Sequence, residues 1–307
     1  MEGPTRSGER AKRINMQGEY SALSGPRQTT APARNAPSAD FDFDRAASIL
    51  TDAAARAGAA IMKHFHEAPE VEIKGDLSPV TRADHDSEAI ILEALARLAP
   101  GIKVISEESC REAQSPLPDR FFLVDPLDGT KEFIKKRSDF TVNIALIEHG
   151  RPRFGLVYAP ARSLLALTTA EGTAVEATLP PDESGGTLSE LQQTPLHARP
   201  APKEGLTALV SFSHLDPDTE AFLSKLNIAE RSAAGSSVKF VAIAQGRADV
   251  YPRFGPTMEW DTAAGQAVLE AAGGVVLEPD GTPLRYGKTA TGLRNPSFIA
   301  WGMRDGG

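Results

Sequence analysis

The sequence is short of cysteine, of positive charge and of long apolar runs, and each shortage excludes something. Cys110 is the only cysteine in 307 residues, so no intramolecular disulfide can form, which fits a reducing cytosol. A redox-switch role for Cys110 would need a resolving cysteine, and the chain offers none. Lys and Arg total 33 against 41 Asp and Glu, giving a net charge of −8. Duplex nucleic-acid binders usually carry a basic surface, so this balance argues against one. No apolar run approaches the roughly 18 residues that a membrane span requires.

What is present suits a folded protein. Hydrophobic residues make up 41% and charged residues 24%, enough for a sizeable core in one large domain or two smaller ones. Residues 1–40 are rich in Gly, Ala, Pro, Ser, Arg and Gln without apolar periodicity, which predicts a disordered extension. Glu2, Glu9 and Glu19 argue against a transit peptide there, and Met16 is an internal candidate start. Order is expected from near Asp44. Ala47, Leu50, Ala54, Ala57, Ile61 and Phe65 recur at helical spacing, and a second helix is expected to open at Asp84, with Asp84 as its N-cap, and to stop at Pro100-Gly101. Strands are expected at 102–105, 120–124, 140–147, 153–158 and 164–168, then loops over 179–203. After Leu206 the pattern alternates: strand 207–211, helix 217–226, helix 235–245, extended 248–251, helix 260–272, and strands 274–277 and 297–301. This alternation predicts an α/β protein. A metal-binding part over 41–203 and a substrate-binding part over 204–307 are expected.

The chemistry concentrates in Asp125-Pro126-Leu127-Asp128-Gly129-Thr130-Lys131-Glu132-Phe133, which follows the apolar Arg120–Val124. Pro126 and Gly129 are expected to break the strand there, leaving two carboxylates on a tight turn. Taken alone, Asp-Pro and Asp-Gly would signify only a turn. Hard cations such as Mg²⁺ prefer oxygen ligands, and paired carboxylates on a fixed turn suit a metal pair that clamps a phosphoryl displacement. Three other segments strengthen that reading: Ile105-Ser106-Glu107-Glu108, Ser78-Pro79-Val80-Thr81-Arg82-Ala83-Asp84, and Glu259-Trp260-Asp261-Thr262-Ala263-Ala264-Gly265. Four acids gathered from strand and helix ends would repel one another unless cations lay between them.

These segments, in this order, resemble the lithium-sensitive, metal-dependent phosphatases of the inositol monophosphatase superfamily. The Lys131-Glu132 pair and the run Tyr251-Pro252-Arg253-Phe254-Gly255-Pro256-Thr257 resemble its 3'(2'),5'-bisphosphate nucleotidase branch, the CysQ family. The resemblance, from about Asp44 to Ile299, implies a five-layered αβαβα sandwich. It implies two Mg²⁺ ions with room for a third: Glu107, Asp125 and the Leu127 carbonyl for the first, Asp125, Asp128 and Asp261 for the second, and the neighbourhood of Glu107 and Asp84 for the third. Glu108 is read as a neighbour that orients or solvates. Thr130 and Asp84 match the family's water-activating dyad, with Glu107 beside them at the catalytic centre. Glu107, Leu127, Asp128, Asp261 and the amides of Gly129 and Thr130 would face the reacting phosphate, while Ser236, Lys239 and Arg253 would hold the surviving one. His214 falls at a family position near the nucleotide. For Lys239 and Arg253 the competing expectation is an ordinary solvated side chain.

The implied reaction is hydrolysis of the 3'-phosphate of 3'-phosphoadenosine 5'-phosphate, a small-molecule substrate, in the cytoplasm. Family members can also associate with the inner face of the bacterial membrane, although no anchor is evident here. The oligomeric state is left open. One alternative is an inositol monophosphatase or sugar phosphatase with the same chemistry. Another is a non-catalytic metal- or RNA-associated regulator, against which the intact acids and the negative charge both argue.

Overall fold

The computed structural model describes residues 41–67, 71–73, 79–109, 116–211 and 216–303. The expected N-terminal extension, Ser78, Cys110 and His214 lie outside the described residues.

Helix α1 (Phe43–His66) buries a stripe that includes Ala46, Leu50, Ala53, Ala54, Ala57 and Ile61. Its first turn is capped by the Asp42 carboxylate, which accepts from the Arg45 amide. Strands β1 (Val71–Ile73) and β2 (Pro79–Thr81) form a short antiparallel ribbon leading into α2 (Arg82–Leu98). Thr81, not Asp84, is the N-cap of α2. Asp84 sits at the third helical position and accepts from the Thr81 amide at 2.8 Å, the reciprocal half of a capping box.

A seven-stranded sheet follows: β3 (Lys103–Ser106), β4 (Arg120–Asp128), β5 (Thr141–Glu148), β6 (Arg151–Ala159), β7 (Leu164–Thr168), β8 (Ala174–Thr178) and β9 (Gln193–Pro195). The strands lie in sequence order, and β3–β4 is the one parallel pair among them. The short α3 (Thr130–Ile134) interrupts the path from β4 to β5. The sheet is covered on both faces, which explains its unbroken apolar strands. Phe122 and Val124 of β4 pack towards α1 and α2, while Phe121 and Leu123 pack the opposite way, and all four are buried. Burying each such side chain contributes about 1.5–3 kcal/mol.

The second sheet contains β10 (Leu206–Ser211), β11 (Ile228–Ala234), β12 (Val250–Arg253), β13 (Val275–Leu277) and β14 (Phe298–Trp301), in the order β11-β10-β12-β14-β13. Three helices flank it: α4 (Pro217–Leu223), α5 (Val238–Ala244) and α6 (Ala263–Ala271). Phe240 of α5 and Val268 and Leu269 of α6 share a core with Phe121 of the first sheet and Phe298 of the second. Phe222 and Leu223 of α4 cover the outer face of the second sheet. The order helices, sheet, helices, sheet, helix is the expected five-layered sandwich. Gly155 of β6 lets α6 come close, since a Cβ there would meet the Ala264 carbonyl at 2.5 Å.

Several boundaries differ from expectation. Strand β4 does not stop before Asp125 but runs through Asp128. Helix α5 begins at Val238 and α6 at Ala263, leaving Gly235–Ser237 and Trp260–Thr262 as non-helical approaches. Strands β1, β2, β8, β9 and β11 were not anticipated. Among the described residues, no helix is long and apolar enough to cross a membrane.

Candidate active site

The parallel register of β3 and β4 brings the first two acids together. Ser106 lies opposite Val124, and the Glu107 amide donates to the Val124 carbonyl at 3.1 Å. The next residues along the two strands, Glu107 and Asp125, therefore emerge side by side.

A bulge adds the third acid. Asp125 pairs with Asn143 and Asp128 with Thr141, so three steps on β4 oppose two on β5. Residues three apart on a regular strand point to opposite faces. The extra residue cancels that, and both carboxylates line one cavity. Asp125 also ties down the bulge, because its Oδ1 accepts from the Leu127 amide at 3.0 Å. The fourth acid, Asp261, comes from the turn before α6, where its Oδ2 accepts from the Met258 amide at 2.8 Å.

One carboxylate oxygen from each of Glu107, Asp125 and Asp261 lies within 4.8 Å of the others. Burial is the first cause that pushes Asp125 and Asp261 well above the usual carboxylate range, and the neighbouring acids add to it. Asp128 is raised to about 6, again chiefly by burial, with Lys239 pulling the other way. The cluster thus concentrates buried acids whose charged forms disfavour one another, offset in part by Lys239 and Arg253.

Thr130 stands beside this cluster. Its hydroxyl reaches Asp84 Oδ1 at 3.3 Å and the Leu127 carbonyl at 3.2 Å. Asp84 is 2% exposed, and its other oxygen accepts from the Thr81 hydroxyl at 2.7 Å. Ser87 of α2 donates to the Pro126 carbonyl at 2.8 Å and anchors the bulge to the helix that holds Asp84. Gly129 has φ +94°, and its turn opens α3 with no side chain capping that end.

The opposite wall is basic. Lys239 and Arg253 line the same cavity of about 740 Å³, and both are buried rather than solvated, at 3% and 8% exposure. Lys239 Nζ donates to the Ser236 carbonyl at 2.8 Å and lies 4.8 Å from the centre of the Tyr251 ring. Burial first, and then the Arg253 charge, lower Lys239 to about 8 against the pull of Asp128. Arg253 donates to the Pro256 carbonyl at 3.0 Å, whereas its Nε is buried without a protein partner. Ser236 also lines the cavity and has φ +45°, a left-handed conformation rare for a non-glycine residue.

The structure therefore gathers Glu107, Asp125, Leu127, Asp128, Gly129, Thr130, Ser236, Lys239, Arg253 and Asp261 around one cavity, with Asp84 buried behind Thr130. Sequence reasoning missed Thr141, Asn143 and Ser237. Thr141 Oγ1 lies 2.9 Å from Ser236 Oγ, and Asn143 donates to Ser237 Oγ at 3.0 Å. The available signal was Asn143 itself, a polar residue in the buried apolar strand Thr141–Glu148.

Residues 42–301 match the inositol monophosphatase family. The chain belongs to that family. The 3'(2'),5'-bisphosphate nucleotidase CysQ of Escherichia coli K12 is 42% identical over 249 residues, covering 80% of this chain and 95% of that one. CysQ of Buchnera aphidicola is 38% identical, covering 75% and 83%. Among solved structures, CysQ from Bacteroides thetaiotaomicron superposes with a TM-score of 0.70 at 36% identity, covering 87% of this chain and all of the other. An inositol monophosphatase from Anabaena superposes at 0.62 with 25% identity. Within the inositol monophosphatase family, this chain falls in the CysQ branch, and it is a phosphatase.

Inositol monophosphatases are metal-dependent, and the residues here fit a metal. The donors are hard carboxylate oxygens at the mutual reach found for Glu107, Asp125 and Asp261. Their upward pKa displacement by burial and mutual repulsion would be relieved by a cation among them.

Proposed function

We propose that this phosphatase is a Mg²⁺-dependent 3'(2'),5'-bisphosphate nucleotidase that cleaves the 3'-phosphate of 3'-phosphoadenosine 5'-phosphate to give AMP and phosphate. The observation that carries the reading is the pair of buried cations, Lys239 and Arg253, in the cavity of the acid cluster. A substrate with one phosphate has no need of them once metals hold that phosphate. A second phosphate does need them, and a buried guanidinium with Nε unpartnered suits charge-assisted recognition of it.

In this reading Glu107, Asp125 and the Leu127 carbonyl would hold one Mg²⁺, and Asp125, Asp128 and Asp261 would hold a second. A third ion near Glu107 and Asp84 belongs to the same proposal. A bound divalent cation supplies Lewis-acid polarisation of the phosphoryl group and acidifies water. The protein's own groups orient that water. Thr130 donates to Asp84 and accepts from the incoming water, so the water's lone pair is aimed at phosphorus. Thr81 supplies two hydrogen bonds to one oxygen of Asp84, which fixes the carboxylate and presents its other oxygen to Thr130. The amides of Gly129 and Thr130 face the reacting phosphate, and Ser236, Lys239 and Arg253 hold the other.

The functional division follows the two sheets: a metal-holding part over 41–203 and a substrate-holding part over 204–307. In support, β3 to β9 lie wholly in the first range and β10 to β14 in the second. A cytoplasmic location is part of the proposal, while peripheral membrane association finds no support among the described residues. The test is phosphate release from a panel of bisphosphate nucleotides, nucleoside monophosphates, inositol phosphates and sugar phosphates. The proposal requires the bisphosphate nucleotides to lead in kcat/KM; a lead for inositol or sugar phosphates would overturn it.

A further inference from the structure

A side-chain amide bridges the two sides of the active site, beside a direct hydrogen bond from the Ser237 backbone to Asp128. Asn143 of β5 is 1% exposed, and its Nδ2 donates both protons, one to Asp128 Oδ2 at 3.4 Å and one to Ser237 Oγ at 3.0 Å. Ser237 Oγ passes the chain on, donating to the Asp261 carbonyl at 2.8 Å. Asp128 ends β4 and Asp261 precedes α6, so the relay links an acid of the first sheet with an acid held by the second half of the chain.

The orientation of the amide follows from its neighbours. Asp128 can only accept when ionised, and Ser237 Oγ already donates elsewhere, so both require the NH₂ of Asn143. The opposite face of the amide has no other purpose in the fold, for Asn143 Oδ1 is buried without a partner. An apolar residue would satisfy that strand better, since leaving a buried acceptor unpaired is costly. Thr141, two residues earlier on the same face of β5, repeats the pattern with Ser236.

We propose that Asn143 is a positioning residue that fixes the spacing between Asp128 and Asp261, acting on the latter through Ser237. This rests on the reading of Asp128 and Asp261 as metal ligands. The relay predicts that the spacing is set before substrate arrives and therefore governs metal affinity directly.

The experiment uses the full chain, stripped of metal and titrated with Mn²⁺ alone, with free Mn²⁺ followed by its electron paramagnetic resonance signal. Melting temperatures are recorded alongside. Asn143→Ala is expected to weaken Mn²⁺ binding about 10- to 100-fold, the usual loss when a ligand's orienting partner is removed. Ser237→Ala, the milder change, should weaken it less, and the double variant should fall short of the product of the two single effects. Unchanged Mn²⁺ binding in Ser237→Ala and Asn143→Ala would overturn the proposal, even with a lower melting temperature, because that is the result of a purely structural role. Strictly multiplicative effects would overturn the relay. Asp128→Asn separates the two readings. If it weakens Mn²⁺ binding while Asn143→Ala does not, only the positioning role fails. If neither does, the metal assignment fails and takes the positioning role with it.

Discussion

Thr130 Oγ1 lies 3.3 Å from Asp84 Oδ1, although the two residues are 46 apart in the chain. The capping box of α2 makes this contact possible. Thr81 holds one oxygen of Asp84 and leaves the other turned towards Thr130. In the proposed mechanism, helix capping and proton handling are thus two tasks of a single carboxylate.

Removing the hydroxyl tests this pair. Thr130→Ala is expected to lower kcat by about 100- to 10,000-fold, the range of positioned proton transfer, with KM little changed. Thr130→Ser should recover much of the loss. Steady-state kinetics with the preferred nucleotide provides the check, and a near-normal kcat in Thr130→Ala would remove the dyad from the mechanism.

Metal removal should abolish turnover. Activity is expected to vanish in excess chelator and to return with Mg²⁺. Ca²⁺, which takes more ligands in a looser geometry, should inhibit, and so, on the family resemblance, should Li⁺. Full activity in chelator would exclude the proposed chemistry.

The acid cluster should make the metal-free protein pH-sensitive. Asp125 and Asp261 are raised well above their ordinary values and Asp128 to about 6, first by burial. Between the ordinary value of 3.8 and these raised values, the folded chain holds protons that the unfolded chain has released. Its stability is therefore fullest below the ordinary value and declines as pH rises through about 6 and beyond. Melting in chelator should occur at a lower temperature at pH near 8 than at pH near 5, as estimated from that window. Added Mg²⁺ should raise melting most at the higher pH, where protons no longer compete for the carboxylates. A metal-free protein that gained stability across this range would contradict the electrostatic picture.

Substrate discrimination should depend on the basic wall. Each charge-assisted contact is worth about 1.5–3 kcal/mol, or roughly 10- to 100-fold in kcat/KM. Arg253→Ala and Lys239→Met should each cost about that much with the bisphosphate nucleotide. The loss should be much smaller with a nucleoside monophosphate. Lys239→Met keeps the volume of a side chain that the fold has buried against Tyr251, so damage to packing is limited. Equal losses on both substrates would favour an inositol or sugar phosphatase.

The sequence made some of this plain and hid the rest for physical reasons. The acids were legible because Asp125, Asp128 and Asp261 stand in long runs that resemble the family's motifs, although Asp-Pro and Asp-Gly alone would signify only a turn. The bulge was not, since Pro126 and Gly129 look alike whether a strand ends or bends. Strand β11 was invisible because Ile228–Ala234 is largely exposed, with neither alternation nor a run of large apolar residues. The burial of Lys239 could not be read from its own segment, because Tyr251, against which it lies, is brought there by the way α5 meets β12. Asn143 was readable in principle, as a polar residue in a strand whose every position is buried.

The left-handed backbone of Ser236 sets stability and binding against each other at one position. Glycine would enter that conformation without a Cβ penalty, so Ser236→Gly relieves strain in the folded state. It also deletes the hydroxyl that meets Thr141 and faces the cavity. Selection for heat resistance alone would therefore drift towards glycine here and, in the proposed reading, discard a contact to the second phosphate.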